Sequence, residues 1–85
     1  MRIEFDRSYA KEYVNLPKGI KTKTDKCLVF LMTDFHHPSL HIKKMQGHKG
    51  IWEARITKGY RFTFQIINNA YKIRKIGTHD ILKSP

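Results

Sequence analysis

The chain has 85 residues, enough for one domain (1–85) with a single core, since a chain this short buries only about 60–65% of the surface it exposes when unfolded. Lys and Arg number 17 against 7 Asp and Glu, a formal charge of +10. This favours an anionic partner, nucleic acid or an acidic protein, and opposes self-association. The lone cysteine, Cys27, excludes an internal disulfide and suits a reducing cytoplasm. No apolar run approaches the roughly 20 residues of a membrane span, and the opening MRIEFDRSYAKEY lacks the apolar stretch of a secretory signal. A soluble cytoplasmic protein is expected.

Arg2 to Phe5 reads as a short strand, with Ile3 and Phe5 alternating against charged neighbours. Asp6 stands where an N-cap belongs, ahead of a helix from Ser8 to Leu16 that places Tyr9, Tyr13 and Leu16 on one side. Pro17 and Gly19 interrupt it. A second helix runs from about Pro17 or Lys18 to Thr33, with Ile20, Thr24, Cys27, Leu28 and Leu31 as its apolar stripe and Lys21, Lys23 and Lys26 outward. The two make an antiparallel hairpin. After Pro38 the period changes from 3.6 to 2. Leu40 and Ile42 alternate with His41 and Lys43 in a first short strand, and Gln46 to Gly50 is a turn. Ile51 to Thr57 is the clearest strand, with Trp52, Ala54 and Ile56 on one face and Ile51, Glu53, Arg55 and Thr57 on the other. A short Lys58-Gly59 link leads to Tyr60–Ile67, Asn68-Asn69 signals a tight turn, and Tyr71–Ile76 is the last strand.

The fold class is therefore α+β. A helical hairpin packs on a mostly antiparallel sheet in a β-α-α-β-β-β order, with the short Leu40–Lys43 segment as a further strand. Two short helices cover only one face of such a sheet. The other face is expected to stay wet and to carry Glu53, Arg55 and Arg61.

That face suits phosphodiester chemistry. Cleaving RNA without metal or cofactor needs a base for the 2′-hydroxyl, cations for the phosphate and an acid for the leaving oxygen. Glu53 and Arg55 lie roughly 6.5–7 Å apart on one strand face, and Arg61 is brought near Arg55 by the Lys58-Gly59 link. His79 follows Gly77 at the strand end and belongs to a residue type that titrates near neutrality. Lys43, Lys44, Lys72 and Arg74 are candidates for the RNA backbone.

The segments HPSL, KKMQG, IWEARI, GYRFTFQI and KIGTHD, taken in order over nearly the whole chain, resemble the RelE-type toxins of bacterial toxin–antitoxin modules. The resemblance implies a RelE-like microbial ribonuclease fold and an endoribonuclease that cuts mRNA, often on the ribosome, inhibiting translation. It implies Arg61 as a phosphate-binding arginine. Glu53 and Arg55 stand where a well-known member has two lysines, and His79 matches a histidine in a similar GTH sequence or an arginine that serves the leaving group. Two departures stand out: position 53 is acidic, and the C-terminal aromatic residue that many members set against an RNA base is missing from Leu82-Lys83-Ser84-Pro85. The implied partners are an acidic antitoxin covering the hairpin and basic face, mRNA and the ribosome, with DNA reached only through the antitoxin.

Each assignment has a plainer competitor. Glu53 could simply pair with Arg55 or Arg61, and His79 could be a surface histidine. The lysines could be solvated charge. His36, His37, His41 and His48 lack the helix and companion ligands that a zinc site wants, so no metal is expected. Trp52, Tyr60, Phe62 and Phe64 read as core. Competing functions are a gyrase inhibitor like the ParE toxins, which share the fold, and a catalytically silent RNA-binding homologue.

Overall fold

A computed structural model describes residues 1–85 and holds five strands and two α-helices. Strand β1 (Arg2–Phe5) leads into α1 (Arg7–Tyr13) and α2 (Lys18–Thr33). Strands β2 (Lys43–Lys44), β3 (Trp52–Arg55), β4 (Arg61–Ile67) and β5 (Ala70–Gly77) follow. The sheet order is β1-β5-β4-β3-β2. The β1–β5 pair is parallel and the other three pairs are antiparallel, giving the mostly antiparallel α+β architecture expected.

Local chemistry accounts for the elements. The Asp6 carboxylate accepts from the Ser8 backbone N–H at 3.2 Å and caps α1. That hydrogen bond holds its carboxyl below the usual range near 3.8. Helix α1 ends at Tyr13 rather than at Leu16, because Pro17 disfavours helical backbone just before it. The Tyr13 hydroxyl donates to Asp25 Oδ1 at 2.8 Å and ties α1 to α2. From α2, Thr24, Cys27, Leu28 and Leu31 are buried as their spacing predicts. Cys27, Leu28 and Leu31 form one core cluster with Ala54, Phe62, Phe64, Ile73 and Ile76 from the sheet. Asn68 and Asn69, with φ of 50° and 62°, close the β4–β5 hairpin, as a two-residue turn with positive φ at both positions requires.

A bulge shapes β5. Thr63 pairs with Lys75 but Phe64 pairs with Ile73, so one extra residue enters β5. Ile73 and Ile76 therefore both reach the core.

Two expectations are corrected. Leu40 and Ile42 do not share a strand: Pro38–Leu40 is a 3-10 turn and β2 spans only Lys43–Lys44. The His37 ring accepts from the Ser39 N–H and caps that turn. Leu40 is fully buried by this turn rather than by alternation. Nor is the polar face wholly wet. Residues 79–83 form a final 3-10 turn, and the chain then lies against the polar face of the sheet. There the Pro85 carbonyl accepts from the Thr63 hydroxyl at 3.2 Å and from Arg74 Nε at 3.0 Å. Thr63 is completely buried as a result. No helix is long and apolar enough to cross a membrane.

Candidate functional site

Sheet register assembles the cationic cluster. Lys43 stands opposite Glu53, and Arg55 stands opposite Arg61. Glu53 and Arg55 are two apart on β3, so the four side chains share one face. With His41 and Ile42 they line a cleft of about 380 Å³.

Glu53 is the anchor of this cleft. Its side chain is only 8% exposed, with Lys43 Nζ at 3.5 Å and Arg61 Nη1 at 3.4 Å. A carboxylate so deeply set requires cationic partners to offset its lost hydration. Both ion pairs are made through Oε1, leaving Oε2 as the oxygen that neither cation engages. Arg61 is itself mostly covered, with 19% of its side chain exposed, and its Nε is buried without a hydrogen-bond partner. An orphaned buried donor costs roughly 1–3 kcal/mol. Lys43 is 69% exposed and free to swing.

His79 is exposed and opens the final 3-10 turn. It follows Gly77, which pairs with Arg61, so it leaves β5 at the Arg55–Arg61 end of the sheet. It is not among the residues lining the cleft. Lys44 points the opposite way from Lys43, and its ammonium lies 5.2 Å from the Trp52 ring centroid. Lys72 pairs with Glu4 and Gln65 in the sheet. Arg74 is engaged, its Nη1 donating to Gln65 Oε1 at 2.7 Å and its Nε to Pro85.

Other residues emerge only from the structure. Because of the bulge, Lys75 joins Arg74 on the polar face, and both line a second cleft of about 250 Å³ with His48, Ile51, Lys83, Ser84 and Pro85. His41, read as a strand residue from sequence, instead adopts left-handed backbone with φ of 46° and borders the main cleft. No group of three or more His, Cys, Asp or Glu side chains is arranged to hold a metal ion.

The sequence matches no protein-family model and no curated protein. Solved structures match strongly. YafQ from E. coli strain BL21(DE3) is similar at 17% identity and a TM-score of 0.80, over 96% of this chain and 98% of that one. A YoeB/ParE toxin from Agrobacterium tumefaciens is similar at 15% identity and a TM-score of 0.80, over 93% and 99%. The intact E. coli RelBE toxin–antitoxin complex contains a chain similar at 20% identity and a TM-score of 0.72, over 91% and 94%. The chain thus has the fold of these toxins along nearly its whole length.

Proposed function

We propose that this chain is the toxin of a type II toxin–antitoxin module and an endoribonuclease that cleaves mRNA on the ribosome without metal, inhibiting translation. One observation carries the reading: Arg61, with an unpartnered buried Nε, lies beside Arg55 and the recessed Glu53 in one open cleft. The shared fold with RelE, YafQ and YoeB/ParE toxins supports it.

The chemistry divides among these groups. Arg61 and Arg55 hold the scissile phosphate and offset the charge that grows on its non-bridging oxygens. Removing one such donor typically costs 10²–10³ in rate. Glu53, oriented through Oε1, receives the 2′-hydroxyl proton at Oε2. The 2′-oxygen then attacks phosphorus, the bond to the 5′-oxygen breaks, and His79 protonates the departing oxygen. The products are a 2′,3′-cyclic phosphate and a 5′-hydroxyl. Lys43, Lys44 and Lys72 guide the RNA backbone, together with the face that carries Arg74.

A cognate antitoxin would occupy the groove of about 350 Å³ formed by Phe5, Tyr9, Ala10, Tyr13, Val14 and Leu28 beside Asp25. Phe5 and Val14 are 53% and 64% exposed there, which is unusual for large apolar side chains clustered at one place. Two of the solved relatives are complexes of YafQ with DinJ and of RelE with RelB.

Regulated expression in a bacterium, with and without the adjacent reading frame, followed by mRNA 5′-end mapping, tests the proposal. Cleavage and growth arrest that vanish in Arg61→Ala and His79→Ala support it. Intact mRNA accompanied by altered DNA supercoiling would favour a gyrase inhibitor instead.

A further inference from the structure

We infer that the pocket formed by Phe35, His36, His37, Pro38, His41 and Trp52 receives a nucleobase of the RNA beside the scissile phosphate. The inference rests on the nuclease reading and adds a base-recognition subsite to it.

The pocket holds about 310 Å³ and also includes Ile42. His41 and Ile42 line the cationic cleft as well, so the two cavities adjoin and one nucleotide can place its phosphate in the first and its base in the second. His41 makes this adjacency possible. It follows the 3-10 turn in left-handed backbone, with φ and ψ both 46°, a conformation that L-residues enter at a cost and that clusters at functional sites. The turn in the chain there separates the two cavities while letting one exposed imidazole border both.

The walls suit a planar heteroaromatic ring. Trp52 is held by Phe64, stacked at 6.3 Å, and by the edge of Phe35 at 6.1 Å. The nearby cation is the flexible, exposed Lys44 ammonium. A base can displace that ammonium. His37 is fixed on its other side, stacked on Phe30 with ring centroids 3.9 Å apart, and its Nδ1 is engaged by Ser39. His36 and His41 are exposed, so their ring nitrogens are available to hydrogen-bond a base edge. Aromatic stacking combined with a cationic backbone groove is the general way proteins hold single-stranded nucleic acid.

Trp52 is the only tryptophan, so its fluorescence reports the pocket directly. The full chain is titrated with a short single-stranded oligonucleotide made uncleavable by 2′-O-methyl groups, and with the same oligonucleotide carrying successive abasic positions. The expected result is quenching by the intact strand and a loss of affinity of roughly 10-fold at one abasic position, the scale of one stacked base. The same loss is expected when His36 and His41 are both replaced by Ala. Equal affinity for intact and abasic strands, or no quenching at millimolar oligonucleotide, overturns the inference. mRNA cleavage that persists in that event leaves the nuclease reading standing. Quenching with base dependence but no cleavage by the wild-type protein retains the pocket and removes the nuclease.

Discussion

Replacing Glu53 by Gln removes one negative charge while keeping the side chain's size and a carbonyl oxygen toward Arg61. At 3.4 Å the gross attraction between the two groups is about 5 kcal/mol for an effective dielectric constant near 20. Desolvation of both groups offsets much of this, and Arg61 keeps some access to water. Breaking a fully buried pair costs about 3–5 kcal/mol; here the expected loss is about 2 kcal/mol. Lys43 contributes little, because an ammonium 69% exposed is screened, and Lys43→Ala should cost under about 0.5 kcal/mol. Urea denaturation of Glu53→Gln, Arg61→Gln and the double variant measures the coupling, expected at about 1–2 kcal/mol. Additivity within about 0.5 kcal/mol would refute the pairing argument. The same variants separate two roles for Glu53 when cleavage is measured on translating ribosomes. As a general base, Glu53 should be worth about 10²–10⁴ in rate, and its loss should still lower the residual rate when Arg61 is already Gln. If Glu53→Gln costs nothing in the Arg61→Gln background, the carboxylate only positions the arginine.

Asp6→Ala should destabilise the protein by about 1 kcal/mol at pH 7 through loss of the α1 cap. The Asp6 carboxyl is held below its ordinary value of 3.8 by the Ser8 N–H. Its contribution is therefore present above that pH and is lost as pH falls through the folded-state value. Urea midpoints of the two proteins should converge as pH falls below that ordinary value, and a gap that stays constant would contradict the cap. Burial pushes the Cys27 thiol up, and its Sγ–H faces the Arg55 carbonyl oxygen at 3.8 Å. Thiol-reactive reagents should consequently label it only after unfolding, and rapid labelling of the native protein would show that α2 does not seal this part of the core.

Much of this is legible from residue pattern, because the deciding interactions are local or fixed by a short turn. The α2 stripe from Thr24 to Leu31 is buried as its period demands. The short link after Thr57 sets the register that places Arg55 opposite Arg61, and alternation puts Glu53 on their face. What alternation leaves undetermined is what covers that face. Pro85 and its neighbours have no apolar period, and their position depends on hydrogen bonds from Thr63 and Arg74 far away in sequence. The β5 bulge is likewise invisible, since Arg74-Lys75 reads as an interrupted alternation rather than as two residues sharing a face. Leu40 and Ile42 imitate a strand because two apolar positions two residues apart fit either a strand or a turn; Pro38 and the His37 cap select the turn. That local choice, unseen in the sequence, carries His41 to the border of the cleft.

The most direct test is cleavage of a defined RNA on a ribosome, followed by chemical identification of the new ends. The expected products are a 2′,3′-cyclic phosphate and a 5′-hydroxyl, formed unchanged in rate when chelator is added at constant free magnesium, and abolished by one 2′-deoxy substitution at the scissile nucleotide or by Arg61→Ala. Products bearing a 3′-hydroxyl, or equal cleavage of the deoxy-substituted strand, would contradict attack by the 2′-hydroxyl and with it the roles given to Glu53, Arg61 and His79.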